Sequence, residues 1–101
     1  MKTFSRIDIT QARQLIDDGA NIVDIRDEQT FQGGHVEGAT NLGNHNISEY
    51  VAQTPQDTPL VVFCYHGNSS QSAAQFLVEQ GFDQVFSVDG GFEAWANSPQ
   101  I

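Results

Sequence analysis

Apolar residues fall along this chain in two rhythms, short unbroken runs and clusters at helical spacing, and the two take turns. Phe4 to Ile7 predicts a short strand. Thr10 then stands as the cap of a helix in which Ala12, Leu15 and Ile16 recur on one face, with Gly19 as its stop. In "NIVDIRD", Ile22, Val23 and Ile25 form a β-branched run suited to a strand covered on both faces. Asp27 caps a short helix through Phe31 that Gly33 and Gly34 halt. The segment "HVEGATNLG" reads as a loop feeding a short strand, and "NISEYVAQT" as a helix with Ile47, Tyr50 and Val51 on one face. Pro55 and Pro59 close that helix and open "PLVVFC", the most apolar run and so the expected central strand. From Asn68 to Gln80 the spacing predicts a helix with Ala73, Ala74, Phe76 and Leu77 inward and serines at its start. A last strand, a glycine turn and a short helix carrying Phe92 and Trp95 follow in "QVFSVDGGFEAW".

Strands that alternate with helices through short links favour a parallel sheet with helices on both faces, because parallel crossovers need that length and hand. The expected fold class is therefore α/β. Ligands of such sheets bind beyond the carboxyl ends of the strands, and Cys64 stands at the end of the central one.

At 101 residues the chain, 1–101, is expected to form a single domain. No stretch of about 18 apolar residues is present, and "MKTFSRID" turns polar before a signal-peptide core can form, so a cytoplasmic protein without a membrane partner is expected. Thirteen Asp and Glu stand against four Lys and Arg, for a net charge of −9. Such a surface repels phosphate backbones, which excludes a nucleic-acid partner. The single cysteine has no partner for an internal disulfide, and no Cys or His stands at ligand spacing for zinc. No metal is expected.

Cys64 is then either a buried hydrophobe or a chemical group. The order strand, cysteine, glycine-containing loop, Ser-capped helix favours chemistry. Unpaired N–H groups at a helix start favour negative charge on a nearby sulfur. Gly67 permits backbone angles closed to other residues, so the amides of Tyr65, His66, Gly67, Asn68, Ser69 and Ser70 can turn inward as an anion cradle.

Three blocks, "VDIRDEQTFQGGHVEGA", "VVFCYHGNSS" and "VDGGFEAW", together resemble the rhodanese family of sulfurtransferases in the same order and over most of the chain. The resemblance implies a rhodanese-like fold, a small parallel β-sheet flanked by helices on both faces. It implies that Cys64 takes the outer sulfur of thiosulfate, releases sulfite, and carries a persulfide until cyanide, a dithiol or a small thiol protein accepts it. No cofactor is required. Phosphatases and arsenate reductases of the family carry an arginine six positions after the cysteine in a loop one residue longer; position 70 here is Ser. Noncatalytic rhodanese-like binding modules commonly lose the cysteine, which this chain keeps. Many family sulfurtransferases carry a cation five positions after the cysteine, where this chain has Ser69, so weak thiosulfate binding is expected.

Asp24 and Arg26 match the family's Asp-x-Arg strand end and read as a pair that supports the loops around the site. His35 matches its Gly-His and reads as a loop-fixing hydrogen bonder. His66 lies inside the loop, where it either donates to a bound oxyanion or faces solvent. Tyr65 either forms part of the rim or shields the sheet end. Phe92 and Trp95 read as core packing.

Overall fold

The computed structural model describes residues 3–98. Ten elements alternate along them: β1 (Ser5–Ile7), α1 (Ile9–Asp17), β2 (Asn21–Asp24), α2 (Glu28–Gln32), β3 (Thr40–Asn41), α3 (Ile47–Gln53), β4 (Leu60–Phe63), α4 (Ser69–Glu79), β5 (Val85–Val88) and α5 (Gly91–Asn97). The strands form one parallel sheet in the order β1-β5-β4-β2-β3. The fold is α/β, a parallel sheet covered by helices on both faces.

β4 lies in the middle because all four of its residues are apolar and both of its faces are covered. Successive side chains of a strand point to opposite faces. Leu60 and Val62 therefore join Val23, Ala74, Leu77, Phe82 and Val85 under α3 and α4, whereas Val61 and Phe63 join Ile7, Ala12, Ile22 and Val88 under α1 and α5. The chain leaves β4 toward β5 but leaves β2 toward β3, so the carboxyl ends of β4 and β2 border a crevice of the kind in which such sheets bind ligands.

Three local expectations are corrected. Asp8, not Thr10, caps α1: its side chain accepts from the Gln11 amide at 2.8 Å, and the Gln11 side chain accepts from the Asp8 amide at 3.0 Å. The reciprocal pair needs a Gln three residues on, which Asp8 has and Thr10 lacks. Phe76 faces outward, 41% exposed, because Ala74, Leu77 and Val78 fill the inner stripe of α4. No serine caps α4; its N-cap is Asn68, which makes no side-chain cap bond.

Candidate active site

Cys64 follows directly on β4 and is buried, 4% exposed. Its sulfur nevertheless meets polar groups. The Gly67 amide donates to Sγ at 3.0 Å, and the thiol donates to Ser70 Oγ at 3.2 Å. Ser70 Oγ lies 2.7 Å from Ser87 Oγ, and both serines are fully buried. A cysteine that only filled space would face apolar atoms on this side.

The loop that achieves this is fixed by its close approach to the start of α5. Gly67 has φ +95, and a Cβ there would come within 2.8 Å of the Gly90 nitrogen and 3.0 Å of the Val88 carbonyl oxygen. Only glycine fits that space at that angle. The Phe92 amide donates to the Cys64 carbonyl at 2.8 Å, and the Glu93 amide to the Tyr65 carbonyl at 3.2 Å. The Gln71 side chain donates to the Gly67 carbonyl at 3.0 Å. With these carbonyls engaged elsewhere, the amides of Tyr65, His66, Asn68 and Ser69 have no main-chain acceptor among the described residues. The loop thus holds four amides without a main-chain acceptor among the described residues, while its Cys64, Tyr65, Gly67 and Asn68 carbonyls are bonded.

Tyr65, His66, Asn68 and Ser69 are exposed around that mouth, and Ser70 is buried beneath it. The Tyr65 and His66 rings lie 5.0 Å apart, and His66 Nδ1 is 3.4 Å from Glu93 Oε1. Phe92 stands beneath the Arg26 guanidinium, 4.3 Å from ring to cation, while Trp95 meets Phe63 edge-on at 5.4 Å.

Asp24 and Arg26 form a buried, two-pronged ion pair with contacts of 2.7 and 3.0 Å. Asp24 also accepts from the Arg26 amide at 2.9 Å, and Arg26 donates onward to the Gly34 carbonyl at 2.7 Å. The pair therefore ties the end of β2 to the turn after α2. Its guanidinium is engaged there, 5.9 Å from the Tyr65 ring. His35 is elsewhere. It stacks on Phe31 at 3.8 Å, with Nδ1–H donating to the Phe31 carbonyl at 2.7 Å, beside a groove of about 700 Å³ shared with Arg13, Asp17, Glu37 and Trp95 but with no residue of the cysteine loop. No group of three His, Cys, Asp or Glu side chains able to hold a metal occurs among the described residues.

Two parts of the site were not anticipated. Ser87 is a lone hydroxyl in the apolar run "VFSV", which is itself a signal, since a buried polar side chain needs a partner. Gly91, in a left-handed conformation, gives α5 its approach to the loop.

The family model for the rhodanese-like domain matches residues 8–98. The chain belongs to the rhodanese family. Among other rhodaneses, it is 55% identical over 93 residues to "Thiosulfate sulfurtransferase GlpE" of Pseudomonas aeruginosa, covering 92% of this chain and 84% of that protein. It is 56% identical over 95 residues to the protein of that name in Pseudomonas savastanoi pv. phaseolicola, covering 94% and 90%. The crystal structure of a rhodanese-related protein from Thermoplasma volcanium superposes with a TM-score of 0.79 at 24% identity, over 97% of this chain and 98% of that one, and shares the rhodanese fold.

Proposed function

We propose that this rhodanese is a thiosulfate sulfurtransferase and that Cys64 carries the sulfur. The observation that carries the reading is the hydrogen bond of the Gly67 amide to Cys64 Sγ, within a loop whose carbonyls are held by α5 at Cys64 and Tyr65 and by Gln71 at Gly67 and Asn68. Backbone donors aimed at a buried sulfur stabilise negative charge there. The relatives named thiosulfate sulfurtransferase, at more than half identity, support the donor.

In the first half-reaction the Cys64 thiolate attacks the outer sulfur of thiosulfate. The sulfur–sulfur bond of the donor breaks, sulfite leaves with the bonding pair, and Cys64 holds a persulfide anion. In the second, a thiophilic acceptor such as cyanide or a dithiol attacks the terminal sulfur, and the Cys64 thiolate is regenerated. This is covalent double displacement, with the enzyme alternating between two states. The free amides of Tyr65, His66, Asn68 and Ser69 hold the sulfonate of the donor and then the terminal sulfur. Asp24 and Arg26 support the loop walls and take no part in bond making.

Intact mass after incubation with thiosulfate tests the reading. The protein should gain one sulfur atom, lose it on addition of cyanide, and gain none as Cys64→Ser. Sulfur transfer by Cys64→Ser at a rate near that of the parent would overturn it.

A further inference from the structure

Beneath the site, the thiol, Ser70 Oγ and Ser87 Oγ form a buried chain with separations of 3.2 and 2.7 Å. The three groups come from the loop, from α4 and from β5. Ser87 pairs with Val62 across the sheet and is fully buried. A hydroxyl both donates and accepts, and its hydrogen turns to suit its neighbours. In the neutral site the thiol donates to Ser70.

We infer that Ser87 is a positioning residue for the sulfur chemistry, acting through Ser70. When Cys64 loses its proton to water it can no longer donate. The Ser70 hydroxyl then rotates to donate to the sulfur, and the Ser87 hydroxyl donates to the lone pair that Ser70 presents. Chains of hydrogen bonds polarise one another, so Ser87 strengthens the donor that Ser70 aims at the thiolate. No heavy atom has to move. The sulfur then accepts from two sides, the Gly67 amide and Ser70. The inference rests on the reading of Cys64 as the sulfur carrier, but the relay acts on the bare thiolate and is measurable without thiosulfate.

Four variants test it: Ser87→Ala, Ser87→Thr, Ser70→Ala and the double variant Ser70→Ala/Ser87→Ala, for which Ser70→Ala is the reference. Alkylation of Cys64 by iodoacetamide at neutral pH should slow about fivefold in Ser87→Ala, the size expected for one net hydrogen bond. The ultraviolet absorption of the thiolate should fall with it. Persulfide formation at saturating thiosulfate should slow by the same factor with KM for thiosulfate unchanged, because the donor meets the loop mouth. Ser87→Thr, which keeps the hydroxyl, should recover most of the rate. In the Ser70→Ala background the removal of Ser87 should have no further effect, since a residue that acts only through its neighbour loses its influence with that neighbour. Parent-like alkylation of Ser87→Ala, or an equal loss with and without Ser70, overturns the inference. Failure of the unsubstituted protein to form a persulfide overturns the sulfurtransferase reading instead, and the alkylation comparison still decides the relay.

Discussion

Gly91 packs its bare Cα against the backbone of Cys64. A side chain there would meet the Tyr65 carbonyl oxygen at 2.6 Å and that of Cys64 closer still, and Gly91 holds φ +58. The first turn of α5 thus seats on the loop with no atom between. Gly91→Ala should push the two apart. Overpacking costs roughly 1–3 kcal/mol, and the left-handed conformation adds about 1–2 kcal/mol for a residue with a Cβ. Urea unfolding should show the loss in stability, and persulfide formation should fall further than stability alone accounts for, because the displaced segment includes Cys64, the proposed carrier.

Asp24→Ala should be among the costliest single changes. It leaves the Arg26 guanidinium buried without its counterion, which destabilises by roughly 3–5 kcal/mol. Asp24→Asn retains an acceptor for the Arg26 amide and should lose less. Comparison of the two urea midpoints at equal slope checks the difference between losing charge and losing the whole side chain.

Ser69→Arg tests the composition of the loop mouth. Ser69 is exposed there, in a protein of net charge −9 that repels a dianionic donor. A guanidinium would add charge-assisted bonds to the sulfonate worth roughly 1.5–3 kcal/mol before solvent exposure discounts them. KM for thiosulfate should fall about tenfold, with kcat changed less because the contact stabilises ground and transition states together. An unchanged KM in a variant that forms persulfide normally would mean that position 69 does not face the donor.

Asp27, the cap of α2, gives a pH signature. Hydrogen bonds from the Thr30 hydroxyl and amide hold its carboxyl below the ordinary value of 3.8. A group whose folded-state value is depressed adds stability that is present above its unfolded value and lost as pH falls through the folded one. Asp27→Asn should therefore lie below the parent in stability at neutral pH, and the gap should close in acid, below 3.8. A gap that widens on acidification would contradict the assignment.

The order of elements was legible because each carries its own local signal. "PLVVFC" is apolar at every position except its ends, so it reads as the strand with both faces covered, and β4 is that strand. Cys64 was legible as a candidate because a strand end, Gly67 and a helix start lie close together in the chain. The contacts that shape the loop were not. The Phe92 amide of α5 reaches the Cys64 carbonyl, and Ser87 of β5 reaches Ser70 of α4; no periodicity encodes which loop a later helix will press upon. The cap of α1 turned on one residue, since Asp8 and Thr10 both qualify by type and only Gln11 distinguishes them. Phe76 shows the limit of hydrophobicity as a guide to direction, because a helix surrounded by other apolar residues can leave a large ring outside.

The loop donors are main-chain atoms, and the peptide planes that carry them are held by α5 and by Gln71 of α4 rather than by the side chains of Tyr65, His66, Asn68 or Ser69. No substitution at those four positions, proline aside, deletes an amide. The reactive centre and the surface that meets incoming molecules are consequently separable. Exchanging the outer side chains should re-tune which carriers of sulfur are admitted while the transfer step itself persists, so this loop is a natural place to engineer new acceptors onto an unaltered catalytic machine.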